Sequence, residues 1–299
     1  MLTCPNGGRV CHPAAATQFS MDKSPTTPPH EKPHRPAFPA AWLIILLAAT
    51  VLLTFILETP RGLLSKTDAV GYAVCHRIES HSFAIAGRQL PLCARCTGTF
   101  VGALTGFFGQ AFVLRRRRAR QFPPTGAIAV LAGFMLLWAA DGTNSYLALM
   151  GGPHLYEPQN WLRLSTGALN GLAMSALVYP VFNFTLWRRS EPTPAIRNLK
   201  DLGILALLEA GMVGLVLTRW TFLLVPLALL SAAGVLGLLT SVNSMLVLMI
   251  IRRENVADTW REAIIPLLAG FTVSLIQVGV IDIVRYTLTG TLSGIPPLR

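Results

Sequence analysis

Between residues 75 and 96 the chain reads CHRIESHSFAIAGRQLPLCARC, and its cysteines and histidines are spaced for chemistry. The pair Cys93-Ala94-Arg95-Cys96 lets two thiolates converge on one ion, and a second arm from Cys75 with His76 or His81 completes a tetrahedral set of the kind zinc takes at ~2.0–2.3 Å. Adjacent Cys and His side chains do not easily ligate the same ion, so His76 and His81 compete for the fourth place. The same residues serve two other ends. A Cys-x-x-Cys just before a helix N-terminus, with Arg95 beside it, stabilises a thiolate that can exchange disulfides with Cys75. A plain structural bridge, Cys93–Cys96 or Cys75–Cys93, would do no chemistry. Haem attachment does not fit, because Thr97 and not His follows Cys96.

A second group is charged. Guanidinium groups make bidentate contacts to phosphate and carboxylate, so Arg88, Arg95 and Arg163 with Asp141 could line a polar groove for an anionic small molecule or lipid headgroup. The plainer alternative is an Asp141–Arg163 ion pair that holds a loop. Glu209 stands alone in an apolar run, where a charged group costs ~2.5–3.5 kcal/mol at membrane depth. It must be protonated, paired or hydrated, and a proton or ion path is one use of it. Asp282 and Arg285 read as an i, i+3 ion pair. The sequence holds no Gly-rich phosphate loop, no HExxH and no GxSxG.

What must position these residues is a membrane. The chain is 52% hydrophobic and 13% charged, about half the charge of a soluble domain. Apolar runs at 40–57, 97–114, 125–141, 163–186, 202–218, 222–251 and 263–283 predict an all-α, polytopic bundle of about seven transmembrane spans. Only the Arg219-Trp220 region separates the fifth run from the sixth, so six spans is the alternative. The net charge of +11 lies in short clusters such as RRRRAR (115–120) between the runs, which marks topology and contact with anionic lipid, not nucleic-acid binding. Placing those clusters and the N-terminal tail in the cytoplasm puts most of the 25 Lys and Arg inside. The N-terminus is then inside, and the Cys/His loop (58–96), the Asp141–Leu162 stretch and Arg163 share the outer face.

Residues 1–39 are Pro-rich and polar and predict a disordered cytoplasmic tail. Met21 is an alternative start that would remove Cys4 and Cys11. Glycines 98, 102 and 106, with 167 and 171, give two spans small faces that allow close approach and predict that spans two and four are neighbours, bringing Cys96 near Arg163.

The segment from Cys75 to Gly98 resembles the signature of a bacterial and archaeal family of integral membrane proteins, domain of unknown function 2085. Cys75, His76, Ser82, Phe83, Gly87, Arg88, Gln89, Pro91, Cys93, Arg95, Cys96 and Gly98 match its pattern. Asp141, Gly142, Asn160, Arg163, Thr166 and Gly167 look like its later segments, with Ser145 or a neighbour where the family has Gln. The resemblance implies a membrane domain over residues 40–190 with the Cys/His loop as its site, and leaves 191–299 as an additional transmembrane region. It brings no reaction with it.

The residues together support a multi-pass protein of a bacterial plasma membrane, embedded in the lipid bilayer, with an exofacial Cys/His site that binds zinc. A membrane thiol–disulfide oxidoreductase and a small-solute or ion transporter using Glu209 are the readings from other classes, and the residues do not decide whether the protein is an enzyme.

Overall fold

The computed structural model describes residues 41–291. The Pro-rich tail, with Cys4, Cys11 and Met21, lies outside the described residues. Helices α1 (Ala41–Glu58) and α2 (Leu63–Val74) lead into a hairpin of β1 (Ala84–Ile85) and β2 (Arg88–Gln89). Then come α3 (Ala94–Phe108), which runs on as a π-helical turn over Gly109–Val113, β3 (Ala119–Gln121), α4 (Thr125–Leu149) and α5 (Asn160–Leu186). The chain finishes with β4 (Glu191–Pro194), α6 (Leu199–Thr218), α7 (Leu224–Ile250) and α8 (Trp260–Thr289).

The protein is an all-α, polytopic transmembrane bundle. Among the described residues seven helices are long and apolar enough to cross a membrane, all but α2. The narrow gap between the fifth and sixth runs is a real hairpin: Arg219 takes a left-handed backbone (φ 50°), and its N–H closes α6 on Val216 O. The chain then turns through Thr221–Leu223 into α7.

Helix ends differ from the sequence reading where polar residues are buried. Helix α4 does not stop at Asp141 but continues to Leu149, because Asp141, Asn144 and Ser145 are buried inside the protein and need no water. Likewise α3 starts at Ala94, so Cys96 lies in its first turn instead of just before the helix. The short α2 is not visible in an apolar-run count. Its Lys66 donates to Ile56 O (2.7 Å) and Thr59 Oγ1 (3.0 Å), tying it to the end of α1.

Helices α3 and α5 form the central pair, as the small-residue faces predict. A Cβ added at Gly98 would stand 2.2 Å from Leu164 O, at Gly167 2.3 Å from Arg95 O, and at Gly171 2.2 Å from Thr99 O. The two backbones touch because no side chain separates them, and dispersion contacts replace the hydrophobic driving force that lipid does not supply. Helix α1, by contrast, buries only Ala48 and presents Trp42, Leu46 and Leu53 outward.

Successive crossings collect the polar segments at two ends. One end holds β3 paired in parallel with β4, the Arg116–Asp201 ion pair at 2.6 Å and Arg188–Asp258 at 2.5 Å. At the other end are α2, the β1–β2 hairpin, the 150–159 loop and the first turns of α3 and α5.

Candidate metal centre

Helix α2 stops where Cys75 takes an extended backbone (φ −134°, ψ 142°), its N–H capping Gly71 O at 3.0 Å. Arg77 adopts φ 51° and reverses the chain. The β1–β2 hairpin turns on Ala86 (φ 50°) and Gly87 (φ 75°), the paired positive φ that a two-residue type I′ turn requires. The return strand then buries Leu90 and Leu92 completely and delivers Cys93 to the N-cap of α3.

This path brings Cys75 and Cys93 together across the loop. The Cys75 sulfur accepts backbone N–H groups from Cys93 (3.2 Å) and Arg77 (3.4 Å). Ligand atoms of Cys75, His76 and Cys93 all lie within 4.8 Å of one another. Tetrahedral bonds of ~2.0–2.3 Å separate neighbouring ligand atoms by about 3.3–3.8 Å, so small shifts would close the three on one ion: the cluster could hold a metal. All three thiols are free. Hydrogen bonds with the Cys93 and Cys96 thiols hold the Cys75 thiol far below the usual cysteine range. The bond with Cys75, and burial, push the Cys93 thiol up to about 12.

The other sequence-derived residues divide. Cys96 bonds with Cys75 but is half-buried, and its sulfur is not among the three mutually close ligand atoms. His81 does not join them either. Its Nδ1 lies 3.4 Å from His76 Nε2, behind His76. Burial and the positive Arg163 push its pKa down to about 4, which leaves a neutral ring at pH 7. Arg88 does not join Arg95 and Arg163 but pairs with Asp68 (2.8 Å), which also takes Arg77 (3.1 Å). Asp68 has no sequence signal beyond its charge, since only the fold of α2 against the hairpin places it there.

Arg95, Asp141 and Arg163 do meet, and of the two arginines it is Arg95, not the Arg163 of the alternative reading, that forms the ion pair with Asp141. Arg95 also donates to Asp141 O (3.0 Å) and to Ser145 Oγ (2.9 Å). Tyr156 Oη donates to Asp141 Oδ1 (2.9 Å) and Thr166 Oγ1 to Oδ2 (3.3 Å). Burial, and then that bond to Asp141, raise the Tyr156 hydroxyl to about 12. Arg163 donates to Asn160 Oδ1 (2.8 Å) and Ser145 Oγ (3.4 Å), so Ser145 accepts from both arginines. Asn160 in turn donates to Ser80 O (3.1 Å), joining this network to the Cys/His loop. Removing one partner of a buried ion pair typically costs ~3–5 kcal/mol. Asp141 is 2% exposed, so Asp141→Ala is expected to lose stability on that scale, read as the shift in a denaturation curve of the detergent-solubilised protein.

Arg285 supplies a tie that spacing did not suggest. It forms no ion pair with Asp282 among the described residues. Its Nη1 donates instead to Tyr72 O and to Cys75 O (2.7 Å), and its guanidinium lies 4.1 Å from the Tyr72 ring centroid. Helix α8 therefore grips the backbone of the centre itself. Glu209 takes no part in this network. It faces α3 at Gly102, with both carboxyl oxygens buried and without a hydrogen-bond partner among the described residues.

Residues 75–177 match a family described as predicted membrane protein (DUF2085). An uncharacterized protein of Methanothermobacter thermautotrophicus is 34% identical over 104 residues, which cover 35% of this chain and 83% of that relative. An uncharacterized protein of Methanocaldococcus jannaschii is 28% identical over 122 residues, 40% of this chain and 71% of that relative. No solved structure matches the chain. The matched segment contains every Cys and His from Cys75 to Cys96 and the Asp141 network, whereas α6, α7 and α8 lie beyond it.

Proposed function

Because the chain belongs to the DUF2085 family of predicted membrane proteins, and the matched segment contains the whole Cys/His cluster, we propose that this multi-pass protein carries a zinc centre outside the cytoplasm. The ligands are Cys75, Cys93 and Cys96 with His76 fourth. His81 stands behind His76 as the second group that orients a metal-bound imidazole. The single observation that carries this reading is the convergence of the Cys75, His76 and Cys93 ligand atoms within 4.8 Å. The backbone N–H bonds to the Cys75 sulfur support it, since they stabilise the thiolate that a metal takes.

Four protein ligands make a closed, structural centre. It would pin the loop after α2 to the first turn of α3. The Arg95–Asp141–Arg163 network, in which the arginines donate to Asp141, Ser145 and Asn160, holds the neighbouring helices in place beneath it. Arg88, the more exposed arginine at 40%, is the one with a free flank for an anionic group such as a lipid headgroup. The Lys and Arg clusters at the opposite end support the outer-face placement of the centre.

A second reading has an observation of its own. Three free thiols, with the Cys75 thiol held far below the usual cysteine range, also suit thiol–disulfide exchange. One experiment separates the two, with Cys4 and Cys11 changed to serine so that only Cys75, Cys93 and Cys96 are counted. Protein purified in detergent without chelator is expected to contain about one zinc per chain, with the three thiols shielded from maleimide until a chelator is added. Absence of metal, together with a disulfide that forms and opens with the redox buffer, would overturn the zinc centre in favour of the oxidoreductase.

A further inference from the structure

Glu209 stands midway along the 20-residue α6, with about 15 Å of helix to either end, half of a ~30 Å hydrocarbon core. Its neighbourhood is sealed both ways. Toward the Cys/His end lie Phe83, Val216 and Leu227 with the partly buried Met212. Toward the opposite end lie Leu172, Leu202 and Leu205. The carboxyl occupies the junction of α3, α5 and α6 because position 102 is glycine: a Cβ there would stand 3.1 Å from Glu209 Oε2 and 2.9 Å from Ala168 O.

The residue is 2% exposed, and neither oxygen has a hydrogen-bond partner among the described residues. On the elements packed against α6, the titratable side chains are Arg95 and Cys96 of α3, Asp141 and Tyr146 of α4, and Arg163 and Tyr179 of α5. Lys200 and Asp201 are the others on α6 itself, and α7 and the π-helical turn have none. None of these bonds to Glu209.

An ionised carboxylate without a partner at this depth is costly, so the sealed arrangement and the ionised arrangement exclude each other. A hard cation such as Ca²⁺ or Mg²⁺ takes a shell of six or more oxygens, and neither Glu209 carboxyl oxygen has a hydrogen-bond partner among the described residues to share in one. We propose that Glu209 is a proton-binding site at the middle of the membrane. The acid holds its proton while α3 and α6 are closed on it, and gives the proton to water when they part, leaving a hydrated carboxylate. The site is independent of the Cys/His centre and stands or falls without it.

The test is infrared difference spectroscopy of the full chain in lipid vesicles, wild type minus Glu209→Gln, before and after transfer to deuterated water. The difference isolates this acid from Asp282 and the others. A protonated-carboxyl band that is lost in E209Q and shifts in deuterated buffer is the expected result. A band that stays unshifted, or a Glu209 carboxylate band in its place, would overturn the proposal, the first by showing an acid that never meets water. Should E209Q not fold, Glu209→Asp provides the comparison, and the band is then expected to move in frequency and still to exchange.

Discussion

Cys93→Ser protein purified beside the wild type is expected to carry about a tenth or less of its metal. The argument starts from position. Cys93 is 1% exposed, caps α3, and offers one of the three mutually close ligand atoms. A serine hydroxyl fills nearly the same space but does not ionise near pH 7, so it donates no anionic ligand. The backbone N–H of residue 93 still reaches the Cys75 sulfur, so the local fold has no steric reason to change. The loss is of binding energy, which in zinc-dependent peptides reaches ~10–16 kcal/mol and is felt as folding free energy. Hydrogen exchange should therefore quicken across 76–92 and leave the α3–α5 seam protected. The half-buried Cys96, outside the close group, is the graded control: Cys96→Ser should lower metal content less than Cys93→Ser. Equal metal content in wild type and C93S would remove the centre from consideration.

Gly98→Val is expected to prevent the bundle from assembling in stable form. A branched side chain at a packed site typically costs ~1–3 kcal/mol when the neighbours are flexible. Here the neighbour is backbone: the Cβ alone would stand 2.2 Å from Leu164 O and 2.7 Å from Ala168 N. No rotamer relieves that contact, so α3 and α5 must move apart by more than an ångström. Separation would also open the approaches at Gly167 and Gly171 and draw Arg95 away from Asp141. The expected loss exceeds ~3 kcal/mol, on the scale of breaking the buried ion pair as well. It would be read as a collapse of the monodisperse peak and of the thermal transition in detergent. Gly126→Ala and Gly133→Ala, where an added Cβ meets nothing within 4 Å, should behave as wild type. A Gly98→Val protein as stable as its parent would show that the seam is not the packing centre.

Sequence alone determined the membrane class, a bundle of six or seven spans, the pairing of α3 with α5 and the short list of residues able to do chemistry. Each of these follows from local composition or fixed spacing. Twenty apolar residues span a bilayer wherever they occur, and glycines at i, i+4, i+8 mark one face of any helix. The Cys-x-x-Cys pair and the Cys-His pair could be seen for the same reason.

Partnership was decided only by the tertiary structure. In sequence Asp141 marks the end of a span, open to pairing with Arg163 or to lining a groove with the arginines, because a charge at the edge of an apolar run looks like an interface. In the fold it sits inside α4 and pairs with Arg95, since the glycine seam carries the first turn of α3 up against α4 and α5. Asp68 takes Arg88, and Arg285 holds the carbonyl of Cys75 from a helix more than two hundred residues away. His76 and not His81 enters the group of close ligand atoms, with His81 bonded to His76 beyond the left-handed Arg77 (φ 51°). Such choices depend on which distant backbones meet and at what depth. Side-chain type sets what a residue can bond, but burial against other segments removes water as the competing partner and so selects which bond forms.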